Sequence, residues 1–252
     1  MNQKIIFSPT SGTDKCVNSL LGAFSESLNT IDLMMPDYKG ESFTIHKEDI
    51  CFVGVPSYGG RMPELCQRRL QELKGNGAIA IATVVYGNRA QEDTLLELVN
   101  TLNHCGFKVI AGVTAIAQHS IAPNTAHGRP DKNDQDLLND FSAQIKKKID
   151  SGDFNNAKDI PGNDPYKERS SMHIKIHVNN NCTKCGHCAE VCPVKAISLN
   201  DLSATDSTCI NCMRCISECP VHARTLDAKM AFMVETMLKV AASKRKEPKL
   251  YL

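Results

Sequence analysis

The sequence predicts an α/β protein, in which a doubly wound, five-stranded parallel sheet is followed by a small cysteine-rich α+β unit. Apolar strand-like runs alternate with helical patterns through the first half of the chain, which is typical of a parallel sheet with helices on both faces. The composition changes near residue 125, and eight of the twelve cysteines fall within residues 182–219. These observations separate a core-forming first half from a second half that depends on its cysteines.

The elements of the first half follow one another in a regular order. Five apolar runs are predicted as strands: Lys4–Ser8, Thr30–Met35, Cys51–Val55, Ala78–Val85 and Lys108–Val113. Helical patterns are predicted over Thr13–Leu28, Pro63–Leu73, Gln91–Cys105 and Asp134–Ile149. Short right-handed crossovers would place the loops that follow the strands along one edge of the sheet.

The chain is expected to have four parts. Residues 1–150 are predicted as the sheet domain, and residues 151–171, polar and interrupted by Gly and Pro, as an extended linker. Residues 172–226 are predicted as the cysteine-rich domain, which repeats itself from Cys182 and again from Cys209. Residues 227–252 are predicted as a C-terminal helix and a basic tail.

Each repeat contains the pattern Cys-x2-Cys-x2-Cys-x3-Cys-Pro. This spacing resembles that of bacterial ferredoxins, which hold cubane [4Fe–4S] clusters, and it predicts two such clusters. The resemblance implies that the fourth cysteine of each run ligates the other cluster. One cluster would then be held by Cys182, Cys185, Cys188 and Cys219, and the second by Cys209, Cys212, Cys215 and Cys192.

Two zinc ions or a disulfide framework are the alternatives for these eight cysteines. Zinc sites of four thiolates also use Cys-x2-Cys pairs, but they usually show two separated pairs instead of a run of three. No secretory signal is evident, and the chain is long enough to fold without covalent staples. The other cysteines share no spacing and are expected to be small core residues: Cys16, Cys51, Cys66 and Cys105.

The composition argues against several classes of function. Apolar residues make up 42% of the 252 residues, and the net charge is +1. This balance offers no electrostatic case for nucleic-acid binding, and no apolar stretch is long enough to span a bilayer. We expect a soluble cytoplasmic protein in a reducing compartment; the sequence leaves a homo-oligomer open.

Three loops after predicted strands suggest a second redox site. The first joins a strand to a helix N-terminus, where hydroxyl and N–H groups suit a phosphate dianion; it comprises Ser8, Pro9, Thr10, Ser11, Gly12 and Thr13. It lacks the Lys of a Walker A loop, so ATP is disfavoured. The second loop comprises Pro56, Ser57, Tyr58, Gly59 and Gly60, and the third comprises Tyr86, Gly87, Asn88 and Arg89. In a sheet of order 2-1-3-4-5 these loops meet at one edge.

The first loop resembles the phosphate loop of flavodoxins, and the chain as a whole resembles fused flavodoxin–ferredoxin proteins of anaerobic microbes. The resemblance implies a flavodoxin-like FMN-binding domain followed by a ferredoxin-like 2[4Fe–4S] domain. Tyr58 and Tyr86 are the candidates to stack on the flavin ring, and Ser120–Asp131 looks like the family's loop after the fifth strand. Ser11 departs from the pattern, which usually has Gly; if the position needs a positive φ, Ser11 is strained and FMN affinity falls.

The sequence therefore predicts an electron-transfer flavo-iron–sulfur protein that relays electrons between two [4Fe–4S] clusters and FMN. One alternative is an FMN-dependent reductase of a small molecule, fed by the clusters, with His119 or Arg89 as polar partners. A second is an iron–sulfur redox sensor without flavin. Whether the chain is an enzyme stays open, and no catalytic residue is identified. Redox proteins are the expected partners, with a small-molecule acceptor as the second class.

The C-terminal residues are predicted to form a helix that packs through one apolar face, marked by Leu226, Met230, Met233, Met237 and Val240. The basic residues after it are expected to be solvated, with an acidic partner as the alternative: Lys244, Arg245, Lys246 and Lys249. His173 and His177 are expected on the exposed face of a short strand, and His187 on a solvent-facing loop.

Overall fold

A computed structural model describes residues 1–24, 27–169 and 174–252. In chain order its strands are β1 (Asn2–Ile6), β2 (Leu28–Asp32), β3 (Ile50–Pro56), β4 (Ile79–Tyr86), β5 (Lys108–Ile116), β6 (Ile176–Val178), β7 (Arg224–Leu226) and β8 (Lys249–Tyr251). The main sheet has the order β2-β1-β3-β4-β5-β8. Its first five strands are parallel, and β8 runs antiparallel to β5. The predicted order 2-1-3-4-5 is confirmed, with one strand added at the edge.

Helices cover both faces of this sheet. The α-helices of the described chain, in order, are α1 (Gly12–Leu20), α2 (Glu64–Gln71), α3 (Thr94–His104), α4 (Lys132–Asp150), α5 (His187–Glu190), α6 (Arg214–Ser217) and α7 (Ala228–Ala241). Because neighbouring side chains on a strand point to opposite faces, Phe52 packs in one core with residues of α1 and α4, and Val53 in another with residues of α2 and α3. Over the described ranges, no helix is long and apolar enough to cross a membrane.

Helix α1 ends at Leu20, although the apolar pattern predicted a helix to Leu28. The hydroxyl of Ser142, on α4, donates to the carbonyl of Leu20 at 2.6 Å and accepts from the N–H of Ala23 at 2.9 Å. These two hydrogen bonds satisfy backbone groups that a longer helix would have used itself. A contact from a residue more than a hundred positions away therefore terminates the helix.

The segment between α4 and the cysteine-rich half has no regular element over residues 153–169, but it is bound to α3 and its surroundings. The buried carboxylate of Asp93 accepts from the N–H groups of Asn163 and Lys167, at 2.8 and 2.7 Å. The buried carboxylate of Glu97 pairs with Arg169 at 2.6 Å and with Arg61 at 2.8 Å. These contacts fix the path of the segment along the sheet domain.

The cysteine-rich half packs against the sheet domain. It contains the antiparallel pair β6–β7 and a small core of its own. Cys212 also belongs to the larger core on the α2–α3 face of the main sheet, where Val194 and Ile210 pack beside it. The buried guanidinium of Arg69 donates to the carbonyl of Pro193 at 2.8 Å. Apolar and polar contacts together fix the cysteine-rich half on the sheet domain.

Helix α7 packs through a face that matches the predicted one only in part. Val234 and Leu238 are buried beside Ala122, whereas Met237 is 54% exposed and Val240 82% exposed. The contacting residues lie four positions apart, so they form one row along the helix. The predicted face was right at Met230, which packs against this cluster, and wrong at Met233, Met237 and Val240, which are exposed.

The basic tail lies on the sheet domain, but Lys244, Arg245 and Lys249 stay exposed to solvent, as expected. The guanidinium of Arg245 pairs with the carboxylate of Asp131 at 2.7 Å, and the N–H of Lys246 donates to Asn88 Oδ1 at 3.0 Å. Lys249 belongs to β8, which pairs with β5. Of the two histidines expected on an exposed strand face, His177 is 45% exposed, and His173 lies outside the described residues.

Candidate redox sites

Two small cavities in the cysteine-rich half are each lined by four cysteines. One is lined by Cys182, Cys185, Cys188 and Cys219, and the other by Cys192, Cys209, Cys212 and Cys215. The fourth cysteine of each run therefore lies at the cavity of the other run, which is the grouping that the ferredoxin resemblance implies. The first cavity is named the distal site and the second the proximal site, because Cys212 packs against the main sheet.

The arrangement of the cysteines fits a multi-iron cage. A single zinc ion requires its thiolates about 2.3 Å from one point, and among the described residues no three His, Cys, Asp or Glu side chains converge in that way. In a cubane each thiolate binds a different iron, so the four sulfurs surround the cage. Backbone N–H groups also face two of the thiolates: Ala196 donates to Cys192 Sγ at 3.3 Å, and Ala223 donates to Cys219 Sγ at 3.2 Å.

The thiols of the two sites differ in how strongly burial affects them. Burial raises the pKa of Cys212 to about 12 and that of Cys215 to about 11. At Cys219 burial acts in the same direction, but N–H donors of Arg224, Ala223 and Val221 outweigh it and lower the pKa. Buried thiolates at the proximal site therefore need cations close by, which iron ions would supply.

Solvent access also differs between the two sites. Cys185 of the distal site is exposed, whereas all four proximal cysteines are buried or half-buried. Next to the distal site, His187 is 41% exposed and lies within 4.0 Å of Glu190 and Glu218. An external protein can therefore approach the distal site more closely than the proximal one.

A cleft of about 500 Å³ lies at the carboxyl ends of the parallel strands, within the range of about 300–1,000 Å³ for ligand pockets. The structure brings most residues of the three predicted loops to this cleft: Pro9, Thr10, Gly12, Thr13, Pro56, Ser57, Tyr58, Gly59, Tyr86, Gly87 and Arg89. The loops come together because they follow β1, β3 and β4, whose carboxyl ends share one edge of the sheet.

Four residues of the predicted loops lie outside the lining of the cleft and shape the loops instead. Ser8 Oγ accepts from the N–H of Asp14 at 3.0 Å, near the start of α1. Gly60 has a φ of 91°, and a Cβ there would lie 1.9 Å from the carboxylate of Glu92. Asn88 Nδ2 donates to the carbonyl of Ala242 at 2.7 Å, so its amide holds the C-terminal segment. The fourth is Ser11.

Ser11 adopts a left-handed conformation at the start of α1, with a φ of 62°. Only Gly takes this conformation without cost, and other residues lose roughly 1–2 kcal/mol. The position therefore does need a positive φ, which is the condition under which the sequence predicts strain. The carbonyl of Ser11 accepts from Lys15 N at 3.0 Å, so the strained residue also begins the hydrogen bonding of the helix.

The roof of the cleft is formed by segments that are distant in sequence. Its residues come from the loop after β5, the segment after α4, the cysteine-rich half and α7: His119, Ser120, Ile121, Lys167, Ile174, Ile210, Asn211, Val234, Met237 and Leu238. Sequence analysis had named the region of His119, Ser120 and Ile121 but missed the contribution of the others to the cleft. Their only signal was the apolar pattern of α7, which did not reveal what the helix covers.

The charged side chains that line the cleft are both cations. Arg89 and Lys167 each pair with Glu92, at 2.7 and 2.6 Å, and Glu92 itself does not line the cleft. Within the described part of the chain, the lining includes no carboxylate. The cleft is therefore suited to an anionic ligand such as a phosphorylated flavin.

His119 is held as a neutral ring at the edge of the cleft. Its Nδ1 accepts from the N–H groups of Ile121 and Ala122, at 3.2 and 3.1 Å, so Nε2 carries the proton of the neutral ring. Burial and the positive charge of Arg89 lower the pKa of His119 below its usual 6.5. A Cβ at Gly87 would lie 2.3 Å from the ring, so only Gly allows this packing.

The hydroxyl of Tyr58 is buried and has no hydrogen-bond partner among the described residues. Tyr58 lines the cleft, and burial together with the thiolates of Cys212, Cys66 and Cys209 raises its pKa well above 10. The phenol therefore lies within electrostatic range of two ligands of the proximal site. A buried O–H group without a partner among the described residues is a candidate donor to a cluster sulfur.

Comparison with known proteins supports the iron–sulfur assignment. Residues 181–223 match the family model of the 4Fe-4S dicluster domain. The matched segment contains all eight cysteines of the two sites, so it is an iron–sulfur, electron-transfer module. The comparison with curated proteins found no match.

Several solved flavodoxins resemble the first part of the chain. They include two-electron reduced Megasphaera elsdenii flavodoxin, with 16% identity over 57% of this chain and 99% of that one and a TM-score of 0.40. Streptococcus pneumonia TIGR4 flavodoxin has 15% identity over 59% and 99% of the two chains, with a TM-score of 0.42. Fusobacterium nucleatum flavodoxin bound to flavin mononucleotide has 16% identity over 58% and 96%, with a TM-score of 0.37.

TM-scores of 0.37 to 0.42 do not establish a fold. The strand order identifies the fold of the sheet domain. The order 2-1-3-4-5 with helices on both faces is that of the flavodoxin-like doubly wound fold. The chain therefore joins a flavodoxin-like sheet to a 4Fe–4S dicluster domain.

Proposed function

We propose that this chain is an electron-transfer flavo-iron–sulfur protein that relays electrons between two [4Fe–4S] clusters and FMN. The observation that carries the proposal is a shared wall. Ile210, between Cys209 and Cys212, lines both the proximal site and the cleft. A cluster bound at the proximal site would therefore lie directly against a flavin bound in the cleft.

The cleft offers groups for each part of FMN. Thr10, Gly12 and Thr13 lie at the N-terminus of α1, where hydroxyl and N–H groups suit the phosphate. Tyr58 and Tyr86 offer aromatic faces near the ring. When bound, FMN accepts or donates one or two electrons and each cluster one, so the flavin can match one-electron and two-electron partners.

The relative positions of the sites suggest an order of transfer. The distal site has an exposed cysteine, the proximal site is buried against the sheet, and the cleft lies beyond it. Ile210, Val234 and Leu238 are apolar residues of the roof that line the cleft. The roof should hinder direct approach of a protein to the flavin ring. A protein partner would therefore exchange electrons at the distal site.

A second candidate is an FMN-dependent reductase of a small molecule, and His119 is the observation that favours it. The fixed ring offers Nε2–H as a donor beside the cleft. Such a donor could bind an oxygen of a substrate or of the flavin. A small molecule that oxidises the reduced protein with saturation, where a protein carrier does not, would favour the reductase.

The relay is tested with two matched double variants under anaerobic conditions. The wild type should hold about eight iron atoms and one FMN per chain. The double variant Cys209→Ala and Cys212→Ala should lose about half of the iron, and its flavin should no longer be reduced through the distal cluster. The double variant Cys182→Ala and Cys185→Ala should also lose about half of the iron, but a small reductant should still reduce its flavin through the proximal cluster.

Rapid-mixing absorbance spectroscopy separates flavin reduction from cluster bleaching in both variants. Equal rates of flavin reduction in the two variants would contradict the relay order. Zinc in place of iron, or no flavin uptake by the anaerobic protein, would contradict the proposed function itself.

A further inference from the structure

The two cysteine repeats differ in charge at a buried position. After the fourth cysteine the first copy reads Pro-Val-Lys-Ala-Ile and the second Pro-Val-His-Ala-Arg. Ile197 of the first copy is 5% exposed, and Arg224, its counterpart in the second, is 2% exposed. A guanidinium group thus takes the place of an apolar side chain in the interior of the cysteine-rich half.

Arg224 is hydrogen-bonded, but its charge is unpaired. Nη1 donates to the carbonyl of Leu202 at 2.7 Å and lies 3.6 Å from Cys188 Sγ, while Nη2 donates to Thr205 Oγ1 at 2.6 Å. Nε is buried, with no partner among the described residues. Across the same residues, no carboxylate lies within ion-pair distance of Arg224, although carboxylates pair with Arg61, Arg129 and Arg245.

Such a group is costly to bury unless an anion lies beside it. Arg stays protonated in proteins, and an isolated buried charge is destabilising. The anionic group that Arg224 contacts is a thiolate of the distal site, since Nη1 lies 3.6 Å from Cys188 Sγ and Arg224 lines that cavity. Its Nη2 donates to Thr205 Oγ1, and Thr205 lines the proximal site. The guanidinium therefore contacts a ligand of the distal site and a residue that lines the proximal site.

We propose that Arg224 is an internal counter-cation shared by the two clusters, which raises the reduction potential of both and that of the distal one most. This inference rests on the proposed cluster binding. A cluster with four thiolates is an anion, and reduction adds one electron and hence one negative charge. A fixed cation stabilises the reduced form more than the oxidised form. The effect should be largest at the distal site, because Arg224 lines that cavity and contacts Cys188.

Three variants of the full chain test this role. Arg224→Ile makes the second repeat match the first, Arg224→Gln removes the charge but keeps a polar group, and Arg224→Lys keeps the charge. Lys184→Gln is the control, because it removes one positive charge from an exposed position between Cys182 and Cys185. Solvent screens an exposed charge, so this control should shift the potential little.

The readout is an anaerobic redox titration of each cluster by electron paramagnetic resonance, with iron and sulfide counted in every sample. Arg224→Ile and Arg224→Gln should disfavour reduction of the distal cluster at least tenfold, which is about 59 mV for a one-electron couple. The shift at the proximal cluster should be smaller. Arg224→Lys should retain most of the wild-type potential.

Unchanged potentials in an Arg224→Gln protein with full iron content would overturn the inference, as would an equal shift in Lys184→Gln. If Arg224→Ile fails to take up iron, the comparison of the Gln and Lys variants decides in the same way. A wild-type protein without iron would instead refute the proposed function, so the two failures are distinguishable.

Discussion

The distal and proximal sites have the same cysteine pattern but different surroundings. The distal site includes the exposed Cys185 and the buried Arg224. The proximal site lies against the main sheet, where Cys212 packs in the core and contributes to the raised pKa of Tyr58. Equal ligand sets alone would give two similar clusters, because the potential depends on hydrogen bonds, charge and solvent exposure around the cage. The difference between the sites therefore comes from residues outside the repeated pattern.

The two ends of the cysteine-rich half should therefore have different roles in electron transfer. The distal end has an exposed cysteine, and the proximal end shares Ile210 with the lining of the cleft. Substitutions at the two ends should therefore differ in their effects on FMN binding, on cluster potentials and on stability.

The largest contrast is expected between Ile210→Asp and Leu199→Asp. Ile210 lines the cleft and is partly buried, so a carboxylate there would be poorly solvated and would repel an anionic ligand. We expect a loss of about 2 kcal/mol or more in FMN binding, which is roughly 30-fold in Kd. Leu199 is 69% exposed, beside Gly186 of the distal loop, and its substitution should leave Kd unchanged.

Titration of the anaerobic apoflavin protein with FMN, followed by fluorescence quenching, measures both values of Kd. Equal Kd values for the two variants would show that the Cys209–Cys212 loop is not part of the flavin site. Iron content is measured in parallel, so that loss of the proximal cluster is not mistaken for a direct effect on the flavin.

A smaller effect is expected from Tyr58→Phe, which removes only a hydroxyl group. The O–H of Tyr58 is buried without a partner among the residues that the structure describes, and Cys212 and Cys209 contribute to its raised pKa. A hydrogen bond from it to a cluster sulfur would favour the more negative, reduced cluster by about 0.5–1.5 kcal/mol. Its loss should disfavour reduction of the proximal cluster by up to about tenfold and leave the distal cluster unchanged.

Tyr86→Phe is the matched control, since Tyr86 lines the same cleft at the end of β4 and should affect neither cluster. Redox titration that resolves the two clusters measures the effect. If Tyr58→Phe shifts the potentials of both clusters, or Tyr86→Phe gives the same shift, then Tyr58 does not contribute to the difference between the two sites.

The parts of the molecule that follow a local pattern were predicted well from the sequence. Buried parallel strands read as continuous apolar runs, and Ala78–Val85 accordingly matches β4 to within one residue at each end. The grouping of the cysteines around the two cavities is the one that the ferredoxin resemblance implies. The cleft floor was predicted because its loops lie next to strand ends that share one edge.

The roof of the cleft and the edge of the sheet could not be predicted in the same way. Strand β8 has only three residues in a basic tail and is defined by its pairing with β5. Ile210, Val234 and Leu238 cover the cleft because distant segments pack together, and no local pattern records such contacts. Asn88 shows the converse: it was predicted as a flavin ligand, but its amide holds the carbonyl of Ala242.

The smallest effect is expected at the end of the cleft where no cysteine lies, in Ser11→Gly. Ser11 has a φ of 62°, so Gly should relieve strain and raise the free energy of unfolding by up to about 1 kcal/mol. Ser19→Gly, in the right-handed last turn of α1, should instead lower it by up to about 0.5 kcal/mol. Urea unfolding of the two variants measures these opposite signs.

The same strain limits what Ser11→Gly can do to the flavin site. If bound FMN requires the left-handed conformation and the free loop can leave it, Gly can improve Kd by no more than about fivefold, the equivalent of 1 kcal/mol. Neither cluster should change its potential, because the residues that line the cysteine sites do not include Ser11 or its neighbours in the loop. A changed cluster potential in this variant would mean that the clusters are coupled to the cleft over the whole length of the cleft. The difference between the proximal and distal sites would then need another cause.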